Sequence, residues 1–181
     1  MEFSEMLIEE HKPIRRALDV LEAMRAKVER GDSTDRHDVN ALLIFLHYFA
    51  DACHQAKEES ILFPVLERVK KRAPSMELEG LLEEHNQERS LIEQTQITLF
   101  TEEHREFIQN VRKLIDLLSG HMVKEEQVLF PLAEQILTRE EAAQLGVRME
   151  ESDAKFGFTQ RKLLLQMLEH LEKVYVIPKA A

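Results

Sequence analysis

"HQAKEESILFP" at residues 54–64 and "HMVKEEQVLFP" at residues 121–131 are near copies of one pattern: a histidine, a carboxylate four residues on, then a Leu-Phe-Pro that is awkward for a helix. A second pair, "LIEEHKPIR" (7–15) and "LLEEHNQER" (81–89), repeats in the same order, so each half reads EEH and then HxxxE. Around these motifs apolar residues recur at helical steps of three and four. Leu7, His11, Ile14, Leu18, Leu21 and Val28 form one seam, and Leu43, His47, Ala50, His54, Ile61 and Val65 a second. Leu78, Leu81, His85 and Ile92 form a third, and Phe107, Val111, Leu114, Leu118, His121, Val128 and Leu132 a fourth.

This periodicity predicts an all-α chain: an antiparallel up-down-up-down four-helix bundle over residues 1–137 and a helical extension over 138–181 packed on it. Breaks fall where the chemistry of helix ends puts them. "RGDSTDR" (30–36) supplies a Gly stop and N-cap candidates, "RAPSMEL" (72–78) offers Ser75 as a cap, and "TREE" (138–141) reads as a capping box. The basic run "RVKKR" (68–72) suits a helix C-terminus, and the last amphipathic helix is expected over 154–176, with Gly157 near its start. Pro13, Pro64 and Pro131 each remove a backbone donor close to a histidine and should bend their helices.

Composition excludes several classes. A chain of 181 residues is long enough for one domain with a sizeable core. The net charge of −10 argues against a nucleic-acid partner, and no apolar run approaches the length of a membrane span. A single cysteine, Cys53, forms no internal disulfide, and the acidic N-terminus lacks a signal-peptide pattern, so a cytoplasmic location is expected.

Four histidines occupy seam positions where Leu or Ile would ordinarily sit, one on each predicted bundle helix: His11, His54, His85 and His121. Residues four apart share a helix face, which puts Glu58 beside His54 and Glu125 beside His121. Two buried carboxylates without partners are strongly disfavoured, and metal cations satisfy all six groups together. Surface His/Glu ion pairs are the competing reading. Nitrogen and carboxylate donors without thiolate suit iron, manganese or zinc, and six side chains exceed what one tetrahedral zinc takes.

At these residues the chain resembles the hemerythrin-like HHE cation-binding domains, over residues 3 to about 137. The resemblance implies an oxo- or hydroxo-bridged centre of two iron ions, with zinc or manganese ranked below iron. It implies His11, His54, His85 and His121 as terminal ligands and Glu58 and Glu125 as bridges. The oxygen-carrying hemerythrins place five histidines around the irons; here Leu81 and Arg89 stand four residues either side of His85, so the fifth is missing. The chain is similar instead to members with four histidines and two glutamates, some implicated in nitric oxide and iron-sulfur stress, although their N-terminal cysteine-bearing segment is absent.

The function implied is binding of, or reaction with, a small oxidant (oxygen, nitric oxide or peroxide), in sensing or stress protection. The alternatives are a metal-dependent oxidoreductase or repair protein, with electrons supplied by a partner protein, and a structural metal-binding bundle.

Several nearby residues receive plainer readings. Glu59 and Glu126, at the fifth position after the histidines, are expected to face the flank or solvent. His47 is expected to be a core or pocket-lining residue, Tyr48 a packing residue, and Cys53 a small core residue. Arg15 and Arg89 are read either as partners of acids around the site or as exposed helix pairs. Glu88 is kept as an extra ligand candidate; His37, His104 and His170 receive no role.

Overall fold

A computed structural model describes residues 2–74, 76–101 and 103–176 of the chain. Among them the backbone forms six helices and no strand, in agreement with the all-α expectation. They are α1 (Phe3–Glu29), α2 (36–72), α3 (Glu79–Thr101), α4 (104–136), α5 (Arg139–Phe156) and α6 (Phe158–Tyr175). None of the described helices is long and apolar enough to cross a membrane.

The ends of these helices follow local chemistry. Gly31 adopts φ 80°, a conformation that its missing Cβ permits, and lets the Asp32 and Gly31 amides cap the Lys27 and Val28 carbonyls. Asp35 then accepts the His37 amide to start α2. Thr138 and Glu141 exchange the reciprocal bonds of a capping box at the start of α5. Gly157, at φ 98°, ends α5 and starts α6, so the last helix begins a few residues later than predicted. The expected cap at Ser75 lies outside the described residues.

Neither α2 nor α4 is uniformly α-helical. Leu46–Gln55, Glu58–Leu62 and Glu125–Leu129 are π-helical, and the last two end one residue before the dipeptides Phe63-Pro64 and Phe130-Pro131. In each, the amide preceding the proline donates five residues back, Phe63 to Glu58 and Phe130 to Glu125. Pro64 has no N–H to offer the Ser60 carbonyl, which accepts from Arg148 on α5 instead. The predicted bends at Pro64 and Pro131 are therefore widened turns, whereas α1 passes through Pro13 with no π turn.

In the ring of helices, α1 packs against α2 and α4, and α3 packs against the same two. The extension leans on one side of this ring, with α5 and α6 both packing on α1 and α2. Two apolar clusters result. One gathers Ile14, Leu18, Leu21, Phe45, Phe49, Leu114 and Leu118 with Leu164, Leu168 and Leu171 of α6. The other gathers Phe3, Leu7, Leu62, Phe63, Leu129 and Phe130 with Leu145 and Met149 of α5. The histidines lie in the layer between them.

Candidate metal centre

His11, His54, Glu58, His85, His121 and Glu125 come together in this layer, each exposed by 2% or less. A polar group so buried needs a partner of matching chemistry. Their atoms are arranged with approximate twofold regularity. His11 Nε2 lies 3.1 Å from His54 Nε2, and His85 Nε2 lies 3.0 Å from His121 Nε2. Each carboxylate spans both pairs. Glu125 places Oε2 3.2 Å from His11 Nε2 and Oε1 3.0 Å from His121 Nε2. Glu58 places Oε1 3.6 Å from His54 Nε2 and Oε2 3.5 Å from His85 Nε2.

The outer ring nitrogens decide what the inner ones can do. His11 Nδ1 faces Glu126 at 2.7 Å, His54 Nδ1 faces Glu10 at 3.2 Å, His85 Nδ1 faces Glu59 at 2.7 Å and His121 Nδ1 faces Glu84 at 2.9 Å. A carboxylate can only accept, so each neutral imidazole carries its proton on Nδ1 and turns the Nε2 lone pair inward. The four oxygens of Glu58 and Glu125 accept no hydrogen bond. Lone pairs thus converge from every side, an arrangement that repels itself unless a cation sits among them. Two overlapping groups could hold a metal ion: His11, His54 and Glu125, and Glu58, His85, His121 and Glu125.

Charge points the same way. Each outer carboxylate has a cation beside it: Arg15 for Glu126, Lys57 for Glu10, Arg89 for Glu59 and Lys124 for Glu84. Partial burial works against their charge, yet bonds from the cations and the histidines hold Glu59, Glu84 and Glu126 below the usual carboxylate range, His11 ahead of Arg15 in the case of Glu126. The two inner carboxylates have no such basic side chain. In a metal-free cluster only protons can take the place of cations. Burial and the nearby Glu125 charge push Glu58 up to about 8. Burial opposes charge on Glu125 and His121 too, but His11 and His121 close beside Glu125 hold it well below its usual range, and the Glu125 charge pushes His121 up to about 9.

The outer acids form a closed circuit. Glu10 on α1 faces the histidine of α2, Glu59 on α2 that of α3, Glu84 on α3 that of α4, and Glu126 on α4 that of α1. Glu59 and Glu126, read as facing the flank or solvent, are part-exposed at the flank and from there each reaches a histidine of the neighbouring helix. An α-helix carries the fifth residue far around from the first, towards the neighbouring helix, and that is where each glutamate finds its histidine. The π turn Glu125–Leu129 shifts the inward face of α4 beyond it by one residue: Leu129 is buried, and Val128, predicted to face in, is 62% exposed. Glu10 and Glu84 went unread because their targets lie on another helix. Arg15 and Arg89 are resolved as partners of these acids. His47 is not in the core but lines a surface pocket with Asp51 and Arg89, and Tyr48, expected to pack, is exposed and stacks edge to face on it. Phe63 and Phe130 stack on His85 and His11 at 5.9 Å and close the layer on the proline side.

Glu88 is fully buried, accepts from Gln55 and leaves Oε1 without a partner; it is outside both ligand groups. Burial pushes its carboxyl up to about 8.

The family model for the hemerythrin HHE cation binding domain matches residues 2–133 of this chain. The chain belongs to that family. No curated protein and no solved structure matches it significantly. The hemerythrin HHE region contains all six converging residues and all four outer acids, and α5 and α6 lie beyond it.

Proposed function

We propose that residues 1–137 form an antiparallel, up-down-up-down four-helix bundle holding two iron ions, and that the centre binds or reacts with a small oxidant such as oxygen, nitric oxide or peroxide. The observation that carries this reading is the convergence of four inward Nε2 atoms and four carboxylate oxygens that accept no hydrogen bond. His11 and His54 would hold one metal and His85 and His121 the other, with Glu58 and Glu125 reaching both. Bound iron would supply one-electron redox chemistry and open coordination positions.

The protein's own residues would do the rest. The outer acids fix each imidazole's tautomer and ring angle, and Phe63 and Phe130 exclude water from the proline side. The chain carries one buried cysteine, so electrons for a catalytic cycle would come from a partner protein, in the reducing setting of the cytoplasm.

Metal analysis and visible spectroscopy test the reading. Anaerobically reconstituted protein should bind two irons per chain and develop charge-transfer bands on exposure to air, nitric oxide or peroxide. A single tightly held zinc, or iron-loaded protein that is spectrally silent with all three oxidants, would leave a structural metal site as the better account.

A further inference from the structure

Two acids that orient histidines across the centre are each held by a lysine of the same motif position, but their surroundings differ. Glu84 and Lys124 form an open pair, with side chains 17% and 58% exposed. Glu10 and Lys57 are sealed, at 2% and 1%. What seals them is the extension. Asp153 on α5 accepts from Lys57 Nζ at 2.6 Å, and Arg161 on α6 donates to Glu10 Oε1 at 2.7 Å. Arg161 also lies 3.5 Å from Cys53 Sγ and 5.0 Å over the Phe49 ring. Glu10 Oε1 thus meets both cations, and Oε2 is left for His54 Nδ1.

Glu10, Cys53 and Asp153 are themselves close enough to hold a cation. Lys57 and Arg161 already fill that role, and burial with the Glu10 charge pushes the Cys53 thiol up to about 12, so it stays protonated. The cluster is a clamp of two acids and two bases.

We propose that Asp153 and Arg161 are positioning residues for the metal at His11 and His54: by locking Glu10 and Lys57 they make that metal the tighter and slower-leaving of the two. The proposal rests on the two-metal reading above. Its physical basis is screening. A buried, multiply bonded carboxylate holds one imidazole angle, whereas the exposed Glu84 and Lys124 pair is loosened by water and salt. Losing such an outer partner typically lowers metal affinity by about 10–100-fold.

The test is release of iron(II) from the full-length protein to a chromogenic chelator without oxygen. Two phases are expected, assigned by His54→Ala, which should remove the slow one, and His121→Ala, which should remove the fast one. Asp153→Asn and Arg161→Met should each accelerate the slow phase by about 10-fold or more and leave the fast phase unchanged. Arg161→Lys should restore part of the difference. A general loosening of the fold would accelerate both phases, and that result overturns the clamp. So does unchanged release in both variants while two irons are bound. Wild-type protein that binds fewer than two metals overturns the two-metal reading itself.

Discussion

Lys57 and Lys124 stand at the same place in the two copies of one motif, yet the first is fully buried and the second projects into solvent. Ile61 and Val128 repeat the contrast, at 6% and 62% exposed. The inner layer differs as well. Where the contact between α4 and α1 has the apolar residues Met122 and Ile14, the equivalent positions between α2 and α3 are Gln55 and Glu88, both buried and hydrogen-bonded to each other. Two halves with the same ligand residues therefore have unlike surroundings, because α5 and α6 cover the α1–α2 side. A motif repeat sets which atoms converge; the packing outside it sets how rigidly they are held.

The largest effect tests whether the halves are equivalent where they should be. Glu58→Ala and Glu125→Ala each remove a carboxylate that reaches both histidine pairs, and each should reduce iron from two per chain to below one. Elemental analysis in which only one of the two variants loses metal would break the symmetry of the bridging set.

Lysine truncation tests where they should differ. Lys57→Ala removes a buried cation bonded to Glu10 and Asp153, leaves them Arg161 alone, and should destabilise the protein by about 2–3 kcal/mol. Lys124→Ala removes an exposed pair and should cost about 1 kcal/mol or less. Equal shifts in denaturant midpoint would erase the distinction.

The pH dependence sharpens the role of protons as stand-ins for metal. Glu58 is raised from 4.5 to about 8 and His121 from 6.5 to about 9, so the folded metal-free state binds these protons more tightly than the unfolded chain does. That stabilisation is complete below the unfolded values and is lost as pH rises through 8 and 9. Metal binding displaces the same protons and strengthens with pH. Thermal melts should show the gap between iron-loaded and stripped protein widening from about pH 5 to pH 9. A constant gap would mean that protons and metal do not compete for these atoms.

Glu59→Ala and Glu126→Ala each free one Nδ1 and should weaken one metal by about 10–100-fold, against the near-neutral outcome of a surface change. Competition titrations that match wild type would deny both residues a part in orienting the histidines. The smallest effect concerns the polar pair. Gln55→Met combined with Glu88→Ile copies the other half into this one, removes two unpartnered buried oxygens, and should stabilise the metal-free protein by about 1–3 kcal/mol. A loss of stability would show that the pair is better satisfied than its bonds suggest.

The sequence by itself determined the helical class, the caps at Gly31 and Thr138, and the six residues that converge. Each is a statement about spacing within one helix or one turn, and such spacing is local geometry. The outer acids and the clamp needed the tertiary structure. Glu59 and Glu126 meet histidines of a neighbouring helix, which no period within their own helix can express. Glu10 meets Arg161 across 151 residues, a pairing with no period at all. Burial of Lys57 and exposure of Lys124 follow from which side of the ring α5 and α6 cover, and a lysine at the same place in two near copies of a motif contains no information about that choice.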